Sequence, residues 1–173
     1  PGATVTERPA PRPEPHRAAD AEARAAARAL LGSARDAVLA VLDAEGWPMT
    51  SRIALQTDAA GTPLALLSGL ALHSAALSRD PRAALLLTDD AATKGSALTR
   101  PRLSLQVEAA LVPPADEVAL RTLWRARDPK AAVYLGLPDF RFWRFTVRAG
   151  LFNAGFGAAF RLTAADLAAP IAE

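Results

Sequence analysis

The side chains that most often carry enzyme chemistry are scarce in this sequence. It has no cysteine and two histidines, His16 and His73, and it contains no HExxH helix, P-loop or GxSxG elbow. Disulfides, thiolate metal sites and cysteine nucleophiles are excluded, and hydrolase or zinc chemistry is disfavoured; no metal site and no catalytic residue is singled out. The polar groups that remain stand on strands, at strand ends and at loop or helix starts: Ser51, Arg52, Ser68, His73, Ser74, Lys94, Arg102 and Gln106. Taken singly, each has an ordinary role. Arg52 and Arg102 would form surface salt bridges, His73 would cap a helix, and Lys94 would be solvated.

The elements that position these groups follow from periodicity and punctuation. Residues 1–17, with Pro9, Pro11, Pro13 and Pro15 among charges, read as a disordered or loosely docked tail, and residues 18–173 as one domain. An alanine-rich stretch over 18–34 carries Arg24 and Arg28 at helical spacing and closes near Gly32. Residues 37–42 form an apolar run bounded by Asp36 and Asp43-Ala44-Glu45-Gly46, expected as a strand buried on both faces. Its hairpin partner, 47–57, places Ser51, Ile53 and Leu55 on one face and Arg52, Ala54 and Gln56 on the other.

Further strands are expected at 64–67, 82–88 and 103–111, the last with the clearest alternation in the chain and Gln106 on its polar side. A short helix begins near His73 and stops at Asp80-Pro81. Pro113-Pro114 opens a helix ending at Asp128-Pro129, with Asp116 and Glu117 in its first turn. A shorter helix covers 130–135, and 140–147 is a strand burying Trp143, Phe145 and Val147. Gly150 and Gly155-Phe156-Gly157 mark a bulge or bend, and 163–167 a capped helical turn. The fold class is therefore mainly β with peripheral helices (α+β), a barrel of about six or seven strands.

Composition narrows the partners. Half the residues are hydrophobic, yet no run approaches the roughly 20 apolar residues of a membrane helix, so a soluble, cytoplasmic protein without a membrane partner is expected. The formal charge of +2 gives no basic field for nucleic acid.

The order of several short motifs is informative. Gly46-Trp47-Pro48-Met49-Thr50-Ser51-Arg52 is followed by Leu67-Ser68-Gly69-Leu70-Ala71-Leu72-His73-Ser74 and Asp80-Pro81-Arg82. Lys94-Gly95, Pro101-Arg102-Leu103-Ser104-Leu105, Gly136-Leu137-Pro138-Asp139-Phe140 and Asn153…Gly155-Phe156-Gly157 come after. In this order and spacing the chain resembles the pyridoxamine 5′-phosphate oxidase-like FMN-binding split barrels, and more narrowly their branch associated with haem utilisation, over residues 20 to 168.

The resemblance implies a split barrel that forms a homodimer with two FMN sites at the interface, acting with a small-molecule substrate or electron donor. It places the FMN phosphate against Arg52, Ser68, Ser74 and Lys94, with His73 as a nearby donor. Ser51, Arg102 and Gln106 fall near the ribityl chain or ring. A helix start, hydroxyls and cations are what a phosphate needs. The chain departs from the pattern at Ser96, Ala97, Ala154 and Ala158, which removes an acid, a proline and a cation near the expected flavin.

Three functions follow. The first is an FMN-dependent oxidoreductase, in which the ring carries the chemistry. A second is a haem-handling protein, whose field of axial ligands is His16, His73, Met49 and Tyr134. The third is a non-catalytic dimeric barrel that has lost its cofactor.

Overall fold

A computed structural model describes residues 16–89, 96–155 and 157–168 of the chain. In chain order the elements are β1 (Arg17–Ala18), α1 (Ala21–Ser33), β2 (Asp36–Leu42), β3 (Pro48–Thr57), β4 (Pro63–Ser68), α2 (Leu72–Arg79) and β5 (Arg82–Thr88). Then come β6 (Arg102–Leu111), α3 (Pro114–Arg127), a 3₁₀ turn (Pro129–Ala131), α4 (Ala132–Leu135), β7 (Phe140–Asn153), β8 (Ala159–Thr163) and α5 (Ala164–Leu167). No helix among the described residues is long and apolar enough to cross a membrane.

The sheet runs β1-β8-β7-β4-β3-β2-β5-β6, and a second pairing of β7 with β6 closes it. Six strands, β7-β4-β3-β2-β5-β6, thus form an antiparallel ring, with β8 and β1 extending it from β7. Closure depends on the length of β7, which spans 14 residues rather than the eight expected. Its first residues pair with β4 and its last with β8, while β6 runs along nearly its whole length. The register shift expected at Gly150 occurs two residues earlier: Gln106 faces Ala149 and Val107 faces Val147, so Arg148 is the extra residue. Gly150 itself lies in the ladder, where a Cβ would stand 3.1 Å from Leu105 Cδ2. Gly155 and Gly157 have φ of 141° and 76°, the bend that their spacing suggests.

Alternation decides which side chains enter the barrel. Ala37, Leu39 and Val41 of β2, Ile53 and Leu55 of β3, and Leu103, Leu105 and Val107 of β6 are buried in the interior cluster with Phe145 and Phe152. α1 covers one end of this cluster because its apolar positions recur every four residues, at Ala23, Ala27 and Leu31. Asp20 starts the helix by accepting Ala23 N–H at 2.8 Å. β2 is not buried on both faces. Its second face is half-open, with Val38 and the neighbouring Leu86 of β5 each 37 % exposed.

A second core forms outside the ring, where α3 lays Leu120 and Trp124 on Leu64, Leu66 and Phe142. Glu117 of α3 is buried there at 6 % exposure. It receives Arg141 Nε at 2.6 Å and Arg121 Nη2 at 3.0 Å. Burial alone would raise this carboxyl, but hydrogen bonds from Arg141 and Arg121 outweigh it and hold the group below its ordinary value. Arg121 also donates to the carbonyls of Leu135 and Phe140, fixing the segment between α4 and β7.

Arg17 of β1 pairs with Phe160 and places its guanidinium 4.9 Å over that ring. Residues 1–15 of the expected tail lie outside the described residues.

Candidate functional site

Arg52, Ser68 and His73 line one cleft of about 260 Å³, on the outer side of β3 and β4 beneath α2. Each is positioned by a local rule. Arg52 is turned outward because Ile53 and Leu55 take the barrel interior. Ser68 is the last residue of β4, and Gly69 follows without a side chain because an added Cβ would lie 3.1 Å from the Asp139 carbonyl. His73 enters in the first turn of α2, whose N-cap position holds Ala71 and has no side-chain cap. The floor and walls are Ile53, Ala54, Leu66, Leu67, Tyr134 and Phe140. The cleft is thus largely apolar with a polar rim.

The hydrogen bonds of the rim decide what it can receive. Ser68 Oγ donates to Asp139 Oδ2 at 2.5 Å and accepts Leu70 N–H at 3.2 Å. Ser74 is buried, and its hydroxyl donates to the Ser68 carbonyl at 2.7 Å. Arg52 pairs with Asp36 at 2.9 Å while its side chain stays 68 % exposed. His73 Nε2 is buried and lacks a hydrogen-bond partner among the described residues. Burial pushes the His73 imidazole below its ordinary pKa, which favours the neutral ring near neutral pH. Tyr134 Oη donates to Asp128 at 3.2 Å, and burial raises its phenol.

The other expected positions lie elsewhere. Ser51 faces the opposite side of β3, in register with Leu39. Arg102 opens β6 and donates to the Leu98 carbonyl at 3.2 Å. Gln106 lines a shallow groove of about 490 Å³ on the outer face of β2, β5 and β6, with Arg82, Glu108 and Arg148. Lys94 lies outside the described residues. Phe140 and the carboxylates Asp36 and Asp139 were not among the expected cofactor residues, whereas Tyr134 was expected as a haem-ligand candidate and lines the cleft. Asp139 follows Gly136-Leu137-Pro138 in a motif that marks a turn, but nothing local says that it reaches a serine 71 positions earlier.

The FMN phosphate can be tested against this donor set. In its favour are the uncapped α2 turn and the unpartnered His73 Nε2. Against it, both serine hydroxyls already donate within the chain, and Arg52 is the one lysine or arginine lining the cleft among the described residues. Two carboxylates adjoin the rim, Asp36 on Arg52 and Asp139 on Ser68. Among the described residues, which do not include Lys94, a nearly dianionic ester would leave net negative charge uncompensated, so this donor set does not fit it.

Comparison with known proteins places this geometry. The model of the pyridoxamine 5′-phosphate oxidase family matches residues 23–154. The chain belongs to the pyridoxamine 5′-phosphate oxidase family. The chain is 32 % identical over 116 residues to the chloroplastic non-canonical heme oxygenase HOZ of Arabidopsis thaliana, covering 67 % of this chain and 35 % of that protein. Atu2129 of Agrobacterium tumefaciens str. C58, of unknown function, is 35 % identical over 88 % of this chain and 62 % of its own, with a TM-score of 0.79. A heme binding protein from Mycobacterium smegmatis shares the fold at 24 % identity and a TM-score of 0.77, over 86 % of this chain and 61 % of its own. The chain spans about a third of the first relative and about three fifths of each of the others.

Proposed function

We propose that this chain is a haem-handling member of the pyridoxamine 5′-phosphate oxidase family rather than an FMN-dependent oxidoreductase. The observation that carries the reading is the charge balance of the cleft among the described residues: apolar walls, one guanidinium at the rim, and the hydroxyls of Ser68 and Ser74 both donating within the chain. A tetrapyrrole offers an apolar plane and single-charge carboxylate arms, which one arginine can neutralise. The names of two relatives, heme oxygenase and heme binding protein, support the same direction. In this reading Arg52 receives a carboxylate arm, and His73 and Tyr134 are the ring-nitrogen and phenol groups nearest the ligand. Ser51 and Arg102 have no part in it.

A homodimer belongs to the same proposal. The half-open face of β2 and β5, with Val38, Ala40, Ala84 and Leu86, is the apolar surface that a second copy would cover. The cleft holds only about 260 Å³, so a tetrapyrrole would extend from it along the barrel toward that interface.

The test is a titration of haem into the purified chain, followed in the Soret region, with FMN titrated in parallel. The reading expects a saturable Soret shift, weakened about fivefold to tenfold in Arg52→Ala. A flavin spectrum carried through purification, with no Soret change on adding haem, would return the protein to the FMN reading.

A further inference from the structure

The side chain that sets the character of the cleft is Asp139. Its carboxylate takes the Ser68 hydroxyl proton at 2.5 Å, and its backbone carbonyl takes Gly69 N–H at 2.7 Å. The segment that carries it is pinned on the far side by Arg121, which donates to the carbonyls of Leu135 and Phe140. The carboxylate is therefore held at the end of β4 by backbone contacts that remain when its own side-chain bond is broken. Ser68 has a single proton to donate, and while Asp139 accepts it none is available to a ligand.

We propose that Asp139 is a specificity-determining residue of this cleft, which occupies the Ser68 hydroxyl and repels dianions, so that phosphate esters are rejected and single carboxylates admitted. The proposal deepens the haem reading and rests on it for the choice of cleft. A carboxylate placed on Arg52 adds one negative charge to a rim that already carries Asp36 and Asp139 against that single cation. A phosphate adds nearly two against the same groups, so the repulsion from Asp139 and Asp36 is about twice as large.

FMN and riboflavin share a ring and a ribityl chain and differ by the phosphate, so the ratio of their affinities isolates the phosphate's contribution. Both are titrated into the full chain by flavin fluorescence quenching, with folding followed by circular dichroism. The parent should bind FMN no more tightly than riboflavin. In Asp139→Asn the amide oxygen still accepts the Ser68 proton and the turn is kept, while the charge is gone; the ratio should move toward FMN by about tenfold.

A parent chain that binds FMN a hundredfold more tightly than riboflavin overturns the proposal. So does an Asp139→Asn chain that binds neither flavin, or binds both as the parent does. Haem titration of the same two proteins separates the readings. No Soret change in the parent, with FMN gained by Asp139→Asn, removes the haem reading and keeps the role of Asp139. Haem binding without any FMN gain does the reverse.

Discussion

Replacing Glu117 with glutamine should destabilise the protein more than any single change at its surface, and the size follows from burial. The Glu117 side chain is 8 % exposed, whereas its partners Arg121 and Arg141 are 31 % and 36 % exposed. Removing one partner of a fully buried pair costs about 3–5 kcal/mol. Here both arginines keep access to water, so the loss is smaller, about 2–3 kcal/mol. For a domain of this length that lowers Tm by roughly 5–10 °C, measurable by differential scanning calorimetry. Since the folded carboxyl is held below its ordinary value, its contribution is present above about pH 4.3 and is lost as pH falls through the folded pKa. The gap between parent and Glu117→Gln should therefore be full at pH 7 and close on acidification. A variant that melts within about 1 °C of the parent at pH 7, or a gap that does not narrow on acidification, would refute the reasoning.

Three further outcomes are expected. Gly150→Ala drives a methyl to 3.1 Å from Leu105 Cδ2 and 3.3 Å from Leu162 Cβ, and should cost about 1–3 kcal/mol in urea unfolding. Asp166→Ala opens the capping box of α5, in which the carboxylate accepts Thr163 N–H at 2.8 Å, and should cost about 1 kcal/mol. The Thr163 N–H holds that carboxyl below its usual range, so the effect should be present above about pH 4 and fade below it. Val38→Glu puts a charge on the open face of β2 and should convert the proposed dimer to monomer by light scattering, leaving the melting curve of the barrel recognisable.

Local rules located most of the elements, and their limits are physical. The β3 alternation is the plainest success, with Ile53 and Leu55 inside and Arg52 outside. Capping chemistry identified α5 from Thr163 and Asp166, and Pro114 and Asp128 bracket α3 as their types suggest. The apolar run of β2 was read as doubly buried because periodicity cannot tell a strand covered by its own chain from one awaiting another surface. β8 was missed because its register is dictated by β7, and the length of β7 is set by closing the ring.

The site was legible to the extent that its residues adjoin in sequence. Ser68, His73 and Ser74 come from one strand-to-helix corner, and Arg52 from the neighbouring strand. What those residues have available to offer a ligand was not legible. Ser68 is engaged by a carboxylate 71 residues away and Arg52 by one 16 residues away. Those pairings exist only once the barrel has closed. Glu117 repeats the lesson, expected as an acid in the first turn of a helix and found buried between two arginines.

A crystal structure of the chain grown with haem would address the central claim most directly. The account predicts a tetrapyrrole lying against Phe140 and Tyr134, with one carboxylate arm on Arg52 and the Ser68–Asp139 contact intact. Haem density absent from this cleft, or an FMN whose phosphate has displaced Asp139 from Ser68, would contradict it.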